Sequence, residues 1–580
     1  MLKKTFILLN ECDIKYIPKS TKNIFTFSPF LAKEIQKEKL KVDFPNPNKT
    51  VVSSEIRLAK VQEYSDAITD SIEMNRIFKY INEYEELIAP YLYLRLSQFF
   101  YIKEFLPESE SYYLFVDSNW KFFNKKIDVI IQIEKRLSEQ NYFYKEIFDF
   151  GDRYNSLTLV DEMEFIFNRF LGFIQKIIFK FLINNNTELF ILSDSKQYFL
   201  PKIKNYLKSK DKMTMSLVSW QSSLGKIKSL LKLLINIISK KAISDATFFL
   251  IPIKKLNIID IQKKIYSIFP SIINEDEKFI KRLILDISTY LVVTDGYQKY
   301  LFSLLNKKNI KNTFLHSTRF SELYSLASIM SKRSSNIFLI SHGTHTLHNN
   351  NYLNSIANKQ LALGLLYSKL ENIIHCSQSL FSDDYLSSIK FKFKKINHLS
   401  ILNPEKSNRK NSKFKILHAS TIKTFNQRSY YYESSFEYIS GIKVLAKKLS
   451  SLADQLEIVV RAGFIKEELT YECLKDELRD FNKFVKISSN KDFLKDLADC
   501  NCLISLSSTT LEQAFSTGIP CLSYGFTKYN HFGSYLNLNI DKTHQDFHIL
   551  NQIEKKLESK FIYSASPENS REDFFGIIAE

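Results

Sequence analysis

Apolar and polar positions along the chain change rhythm twice. Thr5–Leu9 and Asn23–Phe27 are short apolar runs, and helical spacing follows over Leu31–Leu40, which predicts a βαβ-like opening. From residue 61 to about 185 the apolar positions recur with a helical period and few breakers. Ile68–Tyr84, Trp120–Glu139 and Glu162–Leu182 are the predicted helices, and the stretch reads as a helical insertion. From Glu188 onward, ELFILSD, ATFFLIPI, TYLVVTDG (Thr289–Gly296), NTFLHS and NIFLISHG are continuous apolar runs rich in β-branched and aromatic residues. Such runs fit parallel strands buried on both faces.

The polar stretch 403–413, NPEKSNRKNSK, is the best linker in the chain. Beyond it strands are predicted at Lys415–Ala419, Leu456–Val460, Lys483–Ile487, Cys502–Leu506 and Cys521–Tyr524. Helices alternate with them at Phe436–Leu452, Glu467–Leu478, Lys491–Cys500 and Thr509–Phe515. The expected organisation is an N-terminal α/β domain over 1–402, a doubly wound domain over 414–540, and a helical tail over 541–580. Two Rossmann-like domains of this kind would face a cleft at the carboxyl ends of both sheets.

Composition narrows the class. Of 580 residues 44% are hydrophobic and only 12 are Gly and 12 Pro, which excludes a mainly disordered or collagen-like chain. The formal charge is +18, carried mostly by Lys in a chain also rich in Ile, Asn, Phe and Tyr. An AT-rich genome would produce that excess without selection for charge, and no RGG tract, zinc knuckle or RNP pattern accompanies it, so no nucleic-acid partner is expected. Six scattered cysteines without a CxxC pair fit a reducing cytoplasm. No signal peptide or uncharged 18-residue stretch is seen. Residues 225–242 carry five lysines and no acid, a basic amphipathic pattern suited either to a peripheral contact with the inner face of the cytoplasmic membrane or to a packed helix with a solvated face.

The most informative segment is CLISLSSTTLEQAFSTGIPCLSYG, Cys502–Gly525. A buried strand ends at Leu506, and Ser507, Ser508, Thr509 and Thr510 turn into a helix. Free N–H groups, hydroxyls and the positive end of the dipole make such a turn a phosphate site. Thr509 and Glu512 equally form a T-x-x-E capping box. Gly518 and Pro520 end the helix.

Ser-Ser-x-x-x-Glu-x-x-x-x-Gly-x-Pro after a strand resembles the donor-binding segment of GT-B glycosyltransferases that build bacterial surface polysaccharides, over about 290–535. The resemblance implies that Ser507 and Ser508 meet the donor phosphate and Glu512 the ribose. Nucleotide-sugar epimerases carry similar segments. His342-Gly343 after the run NIFLIS resembles the N-domain loop of capsule-type sugar transferases, where His342 would edge the cleft. His-Gly-Thr also resembles CDP-glycerol glycerophosphotransferases, which place Pro and a basic residue next, whereas His345 stands here.

Asp295-Gly296 ends a predicted strand. It is either a turn or, by resemblance to sialyltransferase-like and Kdo-transferase-like enzymes, the general base for the acceptor hydroxyl. Glu322 is the second choice. Arg461 ends the strand IVV where CMP-sugar transferases place His-Pro, and it suits either a diphosphate or a salt bridge. His531, Lys423 and Arg428 are further loop candidates. His342, His345 and His348 match no zinc spacing, and Asp383-Asp384 reads as a helix start rather than an Asp-x-Asp motif, so no metal is expected. The resemblance therefore implies a cytoplasmic, metal-independent transferase, without a cofactor. A nucleotide-sugar donor, CMP-linked where the sialyltransferase-like and Kdo-transferase-like resemblance is followed, and a glycan or lipid-linked acceptor would be its substrates. A polyol-phosphate transferase and a non-catalytic membrane scaffold are the alternatives.

Overall fold

The structure is a computed structural model. It describes residues 4–8, 23–78, 84–115, 159–218, 227–235, 245–250, 258–269, 277–340, 362–397, 413–420, 435–462, 471–506, 509–524, 546–562 and 571–579, apart from short gaps within some of these spans. Three wholly parallel sheets organise them.

The first sheet uses β1 (Lys4–Leu8), β2 (Asn23–Thr26), β3 (Lys41–Asp43) and β4 (Ser111–Phe115), in the order β3-β2-β1-β4. Helix α1 (Pro29–Lys37) joins β2 to β3. Helices α2 (Pro47–Met74) and α3 (Tyr84–Phe105) pack on each other before β4. The stretch from 61 is therefore not wholly helical. Ser-Tyr-Tyr-Leu-Phe of β4 pairs with β1 in register from Lys4↔Ser111 to Leu8↔Phe115. Trp120–Glu139 lies outside the described residues, and α4 (Leu159–Leu182) matches the expected third helix.

The second sheet is the largest. Its strands are β5 (Leu189–Asp194), β6 (Met213–Val218), β7 (Asp245–Phe248), β8 (Ile310–Leu315), β9 (Asn336–Ile340), β10 (Ile373–Ser377) and β11 (Lys394–Lys395). They lie in the order β11-β10-β9-β8-β5-β6-β7. Counted from β5 this is the 3-2-1-4-5 winding of a Rossmann arrangement with two strands added at one edge, and it reverses direction between β5 and β8. The connecting helices are α5 (Phe199–Ser209), α6 (Ile258–Ile268), α7 (Glu277–Leu305), α8 (Ser321–Ser331) and α9 (Leu380–Ser388).

One expected strand is corrected. Thr289–Gly296 lies inside α7, a 29-residue helix. Ile284, Ile287, Leu291, Leu301 and Leu305 are all buried at helical spacing, which continues the apolar run on both sides. A short apolar run cannot by itself distinguish a strand from a buried helix, and here the longer period decides.

The third sheet follows the expected alternation closely. It comprises β12 (Phe414–Ser420), β13 (Leu456–Ala462), β14 (Val485–Ile487), β15 (Cys502–Ser505) and β16 (Cys521–Ser523), in the order β14-β13-β12-β15-β16. Helices α10 (Ser435–Leu449), α11 (Tyr471–Glu477), α12 (Phe493–Ala498) and α13 (Thr509–Ser516) cross over between them. This winding is also 3-2-1-4-5, with its reversal between β12 and β15. The chain is thus α/β with two Rossmann-like arrangements, preceded by helices and a small parallel sheet.

The C-terminal stretch divides between the two arrangements. Helix α14 (Phe547–Leu557) buries Leu550, Ile553 and Leu557 in the core of the third sheet. Residues 571–579 return to the second sheet. Glu572 bridges Ile396 in parallel pairing, and Phe574, at the start of α15 (Phe574–Ala579), meets Phe314 and Phe338 edge-on at 6.1 and 5.8 Å. Arg571 pairs with Asp383 at 2.9 Å, with both side chains buried. Among the described residues no helix is long and apolar enough to cross a membrane.

Candidate active site

In a doubly wound sheet the crevice opens beyond the carboxyl ends of the strands where the winding reverses. In the third sheet that point lies between Ser420, the end of β12, and Ser505, the end of β15. The hydroxyl-rich turn singled out in the sequence follows β15 directly. Ser507 and Ser508 and the side chain of Thr509 lie outside the described residues. Thr509 opens α13, and the Thr510 hydroxyl donates to the Ala419 carbonyl at 3.4 Å, tying the helix start to the end of β12. Glu512 is buried in the first turn. The helix stops as expected. Gly518 takes φ +75°, and the Ile519 N–H bonds back to Ala514 O at 2.9 Å. Phe381 of α9 stacks edge-on against Phe515 at 5.1 Å, so the second sheet's unit buttresses α13.

Arg461 stands at the end of β13, and its guanidinium is engaged within the protein. Its Nη1 lies 2.7 Å from Asp496 and donates to Asn490 O at 2.8 Å. Ser488 donates to the same carboxylate at 2.5 Å, and Asn490 bonds its other oxygen. Of the two expected uses, the structure has the salt bridge, and it is largely buried. Arg461 thereby fastens the loop after β14 to β13.

The reversal point of the second sheet carries residues that the sequence reading passed over. His316 follows β8, and its Nδ1 lies 2.9 Å from Ser193 Oγ near the end of β5. Next to it, Thr318 N–H donates to Gly364 O at 2.7 Å, and Arg319 Nε donates to Leu363 O at 2.7 Å. Gly364 is required there. Its φ is +74°, and an added Cβ would stand 2.7 Å from Arg319 Cγ.

Below this turn Glu86, in the first turn of α3, is completely buried. The Thr318 hydroxyl bonds it, Ser368 Oγ lies 2.8 Å from both of its oxygens, and Lys369 N–H donates at 2.9 Å. Burial nevertheless dominates these bonds and pushes its carboxyl up to about 7. Ser368 N–H donates in turn to His375 Nε2 at 3.1 Å, and burial pushes that imidazole down to about 4, so it stays neutral.

Asp295 is displaced from its expected setting. It lies within α7, not at a strand end, and no turn follows it. Its carboxylate is buried and paired with Lys299 one helical turn on, at 2.5 Å. Glu322 is buried in the first turn of α8, beside the His316–Arg319 turn. His342, Gly343 and His531 lie outside the described residues, as do Lys423 and Arg428. Among the described residues no three His, Cys, Asp or Glu side chains gather in a metal-binding group.

No protein-family profile matches the chain, and no curated protein does. Solved structures are similar to it over most of their length. A glycosyltransferase from Rickettsia africae is 12% identical, with 65% of this chain and 89% of that one covered at a TM-score of 0.33. The UDP-GlcNAc 2-epimerase of Neisseria meningitidis, solved with UDP-GlcNAc, is 11% identical over 68% and 98%, at 0.31. The wall teichoic acid polymerase TagF is 10% identical over 71% and 93%, at 0.27. At these scores the fold is read from the chain's own sheet orders.

Proposed function

We propose that this chain is a glycosyltransferase of GT-B architecture, transferring a sugar from a nucleotide donor to a surface-glycan acceptor. The observation that carries the reading is positional. The Ser-Ser-Thr-Thr turn and Glu512 follow the strand at which the third sheet reverses its winding, where ligands of doubly wound sheets bind. In this reading Ser507, Ser508 and the amino end of α13 hold the donor phosphates, and Glu512 faces the ribose. As the sugar leaves, charge builds on the phosphate, and fixed hydroxyls with the helix dipole stabilise it without a metal ion. The acceptor hydroxyl loses its proton to a histidine at the carboxyl edge of the second sheet. His316, whose Nδ1 lies 2.9 Å from Ser193 Oγ, and His342 are the candidates. Asp295, paired with Lys299 inside α7, is not given that role.

Calorimetric titration with CMP, CDP, UDP and GDP tests the donor site. One nucleotide is expected to bind, and Ser508→Ala is expected to weaken it roughly tenfold or more, the loss of one charge-assisted hydrogen bond. Failure of all four nucleotides to bind would remove the donor site and the transferase reading with it. With the donor known, product analysis distinguishes transfer of a sugar from transfer of a polyol phosphate.

A further inference from the structure

Helix α4 is apolar on two opposite sides. One side docks inward. Leu171, Ile178 and Phe179 are buried, Gln175 bonds the Phe249 backbone and the Tyr300 hydroxyl, and Phe179 meets Phe248 of β7 edge-on. The opposite side consists of Ile166, Phe170, Phe173 and Ile177, at helical spacing, and these are 65%, 57%, 61% and 42% exposed. A helix that only packed on the core would carry polar residues there. The segment leading to β7 repeats the pattern. Leu230 is buried in the same core as α4, while Leu231 and Ile235 are 52% and 62% exposed.

Charge selects the occupant. The three acids of α4, Asp161, Glu162 and Glu164, all lie in its first two turns; from residue 165 onward it holds Arg169, Lys176 and Lys180 and no acid, and residues 225–242 add five lysines and no acid. The stretch 116–158, next to α4 in sequence, carries seven acidic and seven basic residues and offers no complementary charge. A second copy of this chain, at +18, would bring like charge. We propose that the outward face of α4, with the segment around Leu231 and Ile235, is a docking surface for an anionic lipid bilayer, lying in the interface without spanning it. This surface does not depend on the transferase reading.

The test is co-sedimentation of the full chain with vesicles of phosphatidylglycerol and phosphatidylcholine, against pure phosphatidylcholine vesicles. The chain is expected to bind the anionic vesicles at least tenfold more tightly. Phe170→Glu/Phe173→Glu is expected to abolish binding. Lys180→Glu/Lys228→Glu changes two exposed side chains without touching the packed face. It is expected to weaken binding more than tenfold, since each basic residue near such a surface is worth about fivefold. Raising salt is expected to release the protein. Absence of vesicle binding by the wild type would overturn the proposal. So would equal binding to both vesicle types, or a wild-type dimer in solution that the phenylalanine variant dissociates. Loss of the native fold in that variant together with unchanged binding by the lysine variant would overturn it as well, because the face would then be packed within the chain.

Discussion

Replacing Glu86 with Gln should remove a specific pH dependence from the region where α3 meets the second sheet. In the folded chain burial pushes this carboxyl up to about 7, from an ordinary value of 4.5. A raised folded value means that the folded state holds its proton more tightly than the opened state does. The stabilisation is therefore complete below the unfolded value and is lost as pH rises through the folded one. Between pH 5 and pH 8 the loss is about 2–3 kcal/mol, since one pKa unit corresponds to about 1.4 kcal/mol. Glutamine has the shape of the protonated acid. Its oxygen can accept from Thr318 or from Lys369 N–H, and its amide can donate to Ser368. Hydrogen exchange of peptides covering 84–90 and 365–371, corrected for intrinsic rates, reads the local opening equilibrium. Wild-type protection is expected to fall by roughly 50- to 100-fold from pH 5 to pH 8, whereas Glu86→Gln should hold nearly constant. Equal pH dependence in both proteins, or a variant opened at every pH, would refute the reasoning.

Three other perturbations have defined outcomes. Arg461→Ala leaves Asp496 buried without its cation and should destabilise the third sheet's unit by about 3–5 kcal/mol, seen as lost protection in peptides from 485–500. Gly364→Ala meets both a left-handed backbone and a 2.7 Å contact with Arg319, and should cost about 1–3 kcal/mol, read as a lowered thermal midpoint. Phe574→Ala removes an aromatic side chain buried edge-on against the stacked pair Phe314 and Phe338, and should cost about 3–5 kcal/mol and make the bond after Arg571 susceptible to trypsin.

The third sheet was legible almost element by element, because each strand there is a short apolar run set between helices of clear period. Cys502–Leu506 and its following helix were placed to within a residue, and the winding then put them at the reversal point. The second sheet was harder. TYLVVTDG satisfies the composition of a strand, and only the buried positions from Ile284 to Leu305 show that a helical period runs through it. That misassignment is what made Asp295 look like a strand-end residue. β4 was hidden inside a helix-rich stretch, since five residues give too short a pattern to outweigh their neighbours. Glu86 could not have been found from local pattern. It reads as an ordinary acid in the first turn of a helix, and Ser368 is 282 residues away along the chain. His316 had a visible signal, a histidine directly after the run NTFL, of the same kind that drew attention to His342.

The return of residues 571–579 to the second sheet bears on how the protein is made. Domains of a growing chain fold as units, the N-terminal ones first during synthesis. Here all seven strands of the second sheet leave the ribosome while the segment that covers Phe314 and Phe338 and neutralises Asp383 is still far from being translated. Until then Phe314 and Phe338 lack their cover, and Asp383 has only the more distant Lys395, at 3.7 Å, as its cation. The second sheet therefore reaches its final packing only when residues 571–579 have been made.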